Sequence, residues 1–186
     1  MISNFKYINT KSTEVVLDLE NPSDFFHQIY SKQYQCYSEE RHSHIGWNYN
    51  NKEIIISDTG NFIKGLPSVC EKFVIAIFQG KNGAVKNPNN IVIYNLDGTK
   101  HKQIVMPKLL SELCLKRIDF HKESNPPIES AKYEDGLRFN HINWKKNKQG
   151  VLINVVTIVY DRDWLEFRVL NVNSGKVEGL VGQGKV

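Results

Sequence analysis

Apolar and polar positions alternate with a period of two over most of the chain, the signature of strands that bury one face. His44-Ile-Gly-Trp-Asn-Tyr49 and Lys52-Glu-Ile-Ile-Ile-Ser57 flank Asn50-Asn51, which predicts a hairpin. Asp58-Thr-Gly-Asn61 marks the next turn. Lys72-Phe-Val-Ile-Ala-Ile-Phe78 is a continuous apolar run, as expected of a central strand buried on both faces. A loop rich in Gly, Asn and Pro follows from Gly80 to Asn90. Ile91 to Leu96, the turn Asp97-Gly98 and His101 to Met106 predict a second hairpin, because Asp and Gly accept positive φ at low cost. Four more strands are expected at Leu137 to Trp144, Val151 to Tyr160, Leu165 to Val172 and Lys176 to Val181, with turns at Lys146-Asn-Lys148, Asp161-Arg-Asp163 and Asn173-Ser-Gly175.

Residues 1–40 read differently. Glu14 to Leu19 alternates as a strand would, and Asn21-Pro-Ser-Asp24 then opens a short helix. Phe25, Phe26, Ile29 and Tyr30 form its apolar face. Leu109, Leu110, Leu113 and Leu115 suit a second short helix, whereas Lys116 to Phe120 alternates like a strand. Ser124 to Gly136 reads as a linker. The expected fold class is mainly β, with antiparallel sheets from two similar strand units and one or two short helices. The segments are a strand/helix extension (1–40) packed on the rest, a first β unit (41–106), a connecting segment (107–136) and a second β unit (137–186), within a single compact domain.

The two units look alike in two places. His44-Ile-Gly-Trp47 matches His141-Ile-Asn-Trp144, and Ile91-Val-Ile-Tyr-Asn-Leu-Asp-Gly98 matches Arg168-Val-Leu-Asn-Val-Asn-Ser-Gly175. Each unit resembles one blade of a β-propeller, and Val151 to Val181 is similar to a blade's three outer strands. The resemblance implies antiparallel sheets and carries over no catalytic residues. Two units fall short of the four or more blades that close such a ring.

Composition narrows the class without naming an activity. With 186 residues, 40% of them hydrophobic and 24% charged, the chain can build an ordinary core without staples. The net charge of +4 and pI near 8.8 fall below the strongly basic balance of a typical nucleic-acid binder. Cys36, Cys70 and Cys114 are odd in number and widely spaced, which argues against a disulfide framework and a thiolate zinc site. Met1 to Thr10 holds no apolar signal core, and the longest apolar runs are far too short to span a membrane. A cytoplasmic protein is therefore expected.

Several residues could carry chemistry. His42 and His44 project to one face of a strand, so with His141 they could converge on a metal ion; the plainer reading is surface histidines beside a hairpin. Trp47 and Trp144 could be stacking platforms, but anchors for their own units explain them as well. Asp161, Arg162, Asp163 and Trp164 join two strands at a tip, where charge beside an aromatic suits a protein-binding hot spot. Lys145, Lys146 and Lys148, with Lys100, His101 and Lys102, could form a basic patch; near Trp144 and Tyr160 it would suit single-stranded nucleic acid. The ordinary alternative is two lysine-rich turns that protect sheet edges.

Catalytic and cofactor-binding motifs do not occur: no Gly-x-Ser-x-Gly, no phosphate-cradling glycine loop and no His-Glu-x-x-His. The expected role is accordingly non-enzymatic protein binding, specifically that of a bacterial immunity or inhibitor protein that neutralises a toxin, with no cofactor. A basic nuclease toxin fits poorly with a chain of net charge +4, whereas an acidic or neutral toxin is compatible. The alternatives are a nucleic-acid-binding β protein and a metal-dependent hydrolase using His42, His44 and His141.

Overall fold

The computed structural model describes residues 2–9, 12, 14–20, 42–80, 82–126 and 136–185. Along the chain run β1 (Ser3–Asn9), β2 (Glu14–Val16), β3 (His42–Tyr49), β4 (Lys52–Ser57), β5 (Phe62–Pro67), β6 (Phe73–Gln79), β7 (Ile91–Asn95), β8 (Lys100–Ile104), α1 (Glu112–Glu123), β9 (Leu137–Lys146), β10 (Leu152–Tyr160), β11 (Trp164–Asn171) and β12 (Lys176–Lys185). The strands form three four-stranded sheets: an N-terminal sheet ordered β2-β1-β3-β4, a central sheet β5-β6-β7-β8 and a C-terminal sheet β12-β11-β10-β9. Every pairing is antiparallel.

The mainly β, antiparallel expectation holds, but the strands form three sheets rather than two similar units. Residues 41–106 feed two of them. A lone hairpin is marginal in water, and the β3–β4 hairpin gains its other neighbours from β1 and β2 upstream. The chain then lays down β5 to β8 as an up-and-down meander, and β9 to β12 as another. The match of Ile91–Gly98 to Arg168–Gly175 falls at equivalent places, the third strand and following turn of each meander. The matched His-Ile-x-Trp stretches do not: β3 is an interior strand and β9 an edge strand. The two meanders have the strand order of propeller blades, and the described residues hold three sheets, short of the four a ring needs.

Local chemistry explains most element boundaries. Asn50 and Asn51 both take positive φ, as a tight hairpin turn requires. At Asp97-Gly98 only the glycine does (φ 84°); its N–H donates to Asn95 O at 3.0 Å, so this is a longer turn than the dipeptide predicts. β6 behaves as expected, with Val74 to Phe78 all buried in the interior of its sheet.

The helix starts at Glu112, later than the leucines predict, because the Ser111 side chain caps it by accepting from Cys114 N–H. It continues through Lys116–Phe120, where alternation suggests a strand. The Glu112–Lys116 ion pair at 2.6 Å adds i,i+4 support, and Cys114 and His121 give the helix a buried side. The helix expected after Asn21 lies outside the described residues.

The central sheet holds its neighbours through named contacts. On the side of the N-terminal sheet, Tyr7 Oη donates to Gly65 O at 2.6 Å and accepts from Gly65 N–H at 2.9 Å. A Cβ at Gly65 would come within 2.8 Å of Ile45 Cδ1, so glycine permits this approach. The fully buried Trp47 stacks on Phe5 and donates its indole N–H to Leu96 O at 2.8 Å. From the C-terminal sheet, Trp144 donates to Pro67 O at 2.8 Å. Both tryptophans therefore peg one sheet to the next; the Trp47 bond stays within the expected first unit, as an anchor for its own unit would, whereas Trp144 reaches out of its unit to Pro67.

Candidate binding surface

The turn between β10 and β11 is built by its first residue. Asp161 and Arg162 take positive φ (48° and 67°), and Asp161 N–H donates to Gly136 O at 2.7 Å. The Asp161 carboxylate points inward: it is buried, and its Oδ2 accepts from Arg117 Nε at 2.6 Å and lies 3.0 Å from His121 Nε2. His121 Nδ1 lies 3.0 Å from Tyr160 Oη. This Tyr-His-Asp-Arg chain resembles a catalytic relay, and α1 carries one thiol, Cys114. Cys114 is fully buried, and burial pushes its thiol up. The chain instead ties α1 to the tip of the C-terminal sheet.

With Asp161 turned inward, the outer tip is left to Arg162 and Asp163, both exposed, and to Trp164, partly exposed. Lys185 from the facing strand places its ammonium 4.9 Å from the Trp164 ring. Lys145 and Lys146 are exposed at the far end of β9, and Lys145 Nζ sits 4.5 Å from the Phe167 ring. The other basic hairpin is engaged: Lys102 Nζ donates to Ser174 O at 2.7 Å, and His101 packs on Phe73. Lys102 thereby closes over the β11–β12 turn.

A second buried charge cluster went unnoticed in the sequence. Glu166 and Arg168 share one face of β11 and pair at 2.6 Å, with side chains 0% and 5% exposed. Glu166 Oε2 also accepts from Leu110 N–H and Ser111 N–H, both at 2.8 Å, and Arg168 donates to Lys108 O and Glu178 O. The pair docks the strap before α1 onto the sheet. The signal was opposite charges two apart on an otherwise apolar strand.

His44 and His141 lie on different sheets. His44 lies on β3, opposite Ser57 and Ile8 of the N-terminal sheet, with its Nδ1 on Ser43 Oγ. His141 lies on β9 in the C-terminal sheet, and the His42 side chain is outside the described set. Among the described residues no three His, Cys, Asp or Glu side chains group as metal ligands. His141 has two cations for neighbours instead. Burial first, then the charges of Lys64 and Arg138, push it down to about 4, so it is neutral at pH 7.

Lys64 on β5 is pushed down to about 8, chiefly by burial and then by Arg138. Among the described residues no helix is long and apolar enough to cross a membrane.

These features define a class: an antiparallel three-sheet β protein whose buried polar clusters serve architecture and whose aromatic and charged tips face outward. No protein-family model matches the chain, and no curated protein matches it. The fold itself has a solved counterpart. The chain is similar to a chain in the structure of Tne2 in complex with Tni2, with a TM-score of 0.64 at 10% identity, covering 97% of both chains.

Proposed function

We propose that this chain is an immunity protein: it binds a toxin protein and neutralises it by covering the toxin's surface. The observation that carries this reading is the end-to-end likeness to a chain from a two-protein complex, Tne2 with Tni2. The site chemistry agrees. The polar clusters of the C-terminal sheet hold α1 and the strap, while Arg162, Asp163 and Trp164 face outward at the β10–β11 tip, the opposite end of the sheet from Lys145 and Lys146. An aromatic set among opposite charges is the composition of an interface hot spot with a polar rim. We place the toxin contact on this tip.

The test is capture from the native host at two salt concentrations, with and without nuclease, followed by co-expression. One stoichiometric protein is expected to survive both treatments, to be toxic when expressed alone and to be harmless beside this chain. Asp163→Lys and Trp164→Ala should each weaken capture about tenfold or more without lowering the melting temperature. Recovery of nucleic acid alone would overturn the reading, and unchanged capture by both variants would remove this tip from the contact.

A further inference from the structure

Each sheet ends in two edge strands, and an edge exposes unpaired N–H and C=O groups unless it is short, charged, bulged or covered. Most edges here are blunted in one of these ways. β2 has three residues. β8 carries Lys100, His101, Lys102 and a register shift, and β12 is interrupted by two register shifts. β5 and β9 pack against neighbouring sheets. β4 is left open. Its six residues, Lys52–Ser57, pair with β3 without a bulge and hold Ile54-Ile55-Ile56 at their centre. Ile55 is 47% exposed, and the charge of Glu53 is met by Lys6 at 2.6 Å.

The hairpin decides which backbone groups face outward. Asn50 and Asn51 form a two-residue turn, so Tyr49 and Lys52 close it as a hydrogen-bonded pair. Alternation then directs the N–H and C=O of Lys52, Ile54 and Ile56 toward β3, and those of Glu53, Ile55 and Ser57 away from it. All three outward residues are exposed. Among the described residues no backbone group pairs with this outer side of β4.

We infer that β4 pairs with β4 of a second copy of this chain, antiparallel about a two-fold axis at Ile55, so that two N-terminal sheets join into one continuous sheet. The strand is complementary to itself in that register. Ile55 falls opposite Ile55 of the second copy and Glu53 opposite Ser57, so the outward residues meet only one another and each pair can exchange two backbone hydrogen bonds. Ile54 falls opposite Ile56, apolar on apolar, and Lys52 opposite Asp58, cation on anion. A slip by one residue would set outward groups against inward ones. A slip by two would set Ile54 against Asp58 or Ile56 against Lys52, so the register is specified. Strand addition at an open edge takes its affinity from the main chain and its specificity from such side-chain matches. The pairing uses no residue of the β10–β11 tip and does not rest on the function proposed above.

Sedimentation equilibrium of the full chain, from about 1 to 300 µM, is expected to pass from the mass of one chain to that of two. Amide exchange should carry the signature of the strand: Lys52, Ile54 and Ile56 protected at every concentration, Glu53, Ile55 and Ser57 protected only where the dimer forms. Ile55→Lys brings two ammonium groups together at the two-fold axis and should raise the dimer midpoint about tenfold or more, with the melting temperature of the single chain unchanged. Ser57→Lys faces Glu53 of the second copy and should lower the midpoint about threefold. The mass of one chain throughout would overturn the proposal. So would a dimer that Ile55→Lys leaves intact, or one in which the outward amides still exchange freely. A midpoint raised by Ser57→Lys overturns the register. Protection of the outward amides that appears only when a captured toxin is added, with one copy of this chain per complex, gives the edge to a toxin strand and overturns the second copy.

Discussion

Glu166 shows how a single residue can hold an architectural joint. Its two oxygens are divided between Arg168 and the N–H groups of Leu110 and Ser111, so the strap, the helix start and β11 share one carboxylate. Removing the charge from one member of a buried pair leaves the other uncompensated, which costs far more than the pair contributes. Glu166→Gln should therefore lower unfolding stability by about 3 kcal/mol in urea denaturation, and adding Arg168→Met should recover a substantial part. Equal losses in the single and double variants would show that Arg168 does not depend on Glu166.

At the scale of the element, α1 is held by chemistry at both ends more than by its apolar surface. Leu115 and Phe120 stay exposed, while Cys114 and His121 are its buried residues. Its C-terminal half depends on Asp161, which lies in the β10–β11 turn and accepts from Arg117. Asp161→Asn should loosen that half without unfolding the sheets: amide exchange over residues 117–123 should accelerate about tenfold or more while exchange in β10 is unchanged. Uniform acceleration in both elements would mean that the turn, and not the helix, depends on the carboxylate.

For the whole molecule, the seam between the central and C-terminal sheets should respond to pH. Folding lowers His141 from 6.5 to about 4, so between those values the unfolded chain binds more protons than the folded one. The contribution of this site is fully present above pH 6.5 and is lost as pH falls toward 4, with a ceiling of about 3 kcal/mol. His141→Asn should flatten the difference in denaturation midpoint between pH 7 and pH 4.5; an unchanged slope would place the acid sensitivity in the carboxylates.

The sequence by itself determined most of the strands and many of the turns, because alternation with period two and turn residues such as Asn50-Asn51 act over a few residues. It also exposed the tip Asp161–Trp164 and the lysines of β9, although not that Asp161 faces inward. It missed β1, which nothing local marks clearly, and β5, which is short and carries Gly65 and Pro67. It left Lys116–Phe120 open between helix and strand; a cap at Ser111 and an ion pair across one turn outweigh a five-residue alternation. Only the tertiary structure decided that the strands form three sheets, since β3 and β4 depend on partners far upstream. It alone set Lys64 of β5 near Arg138 and His141 of β9, because two sheet edges meet there and that contact leaves no pattern along the chain.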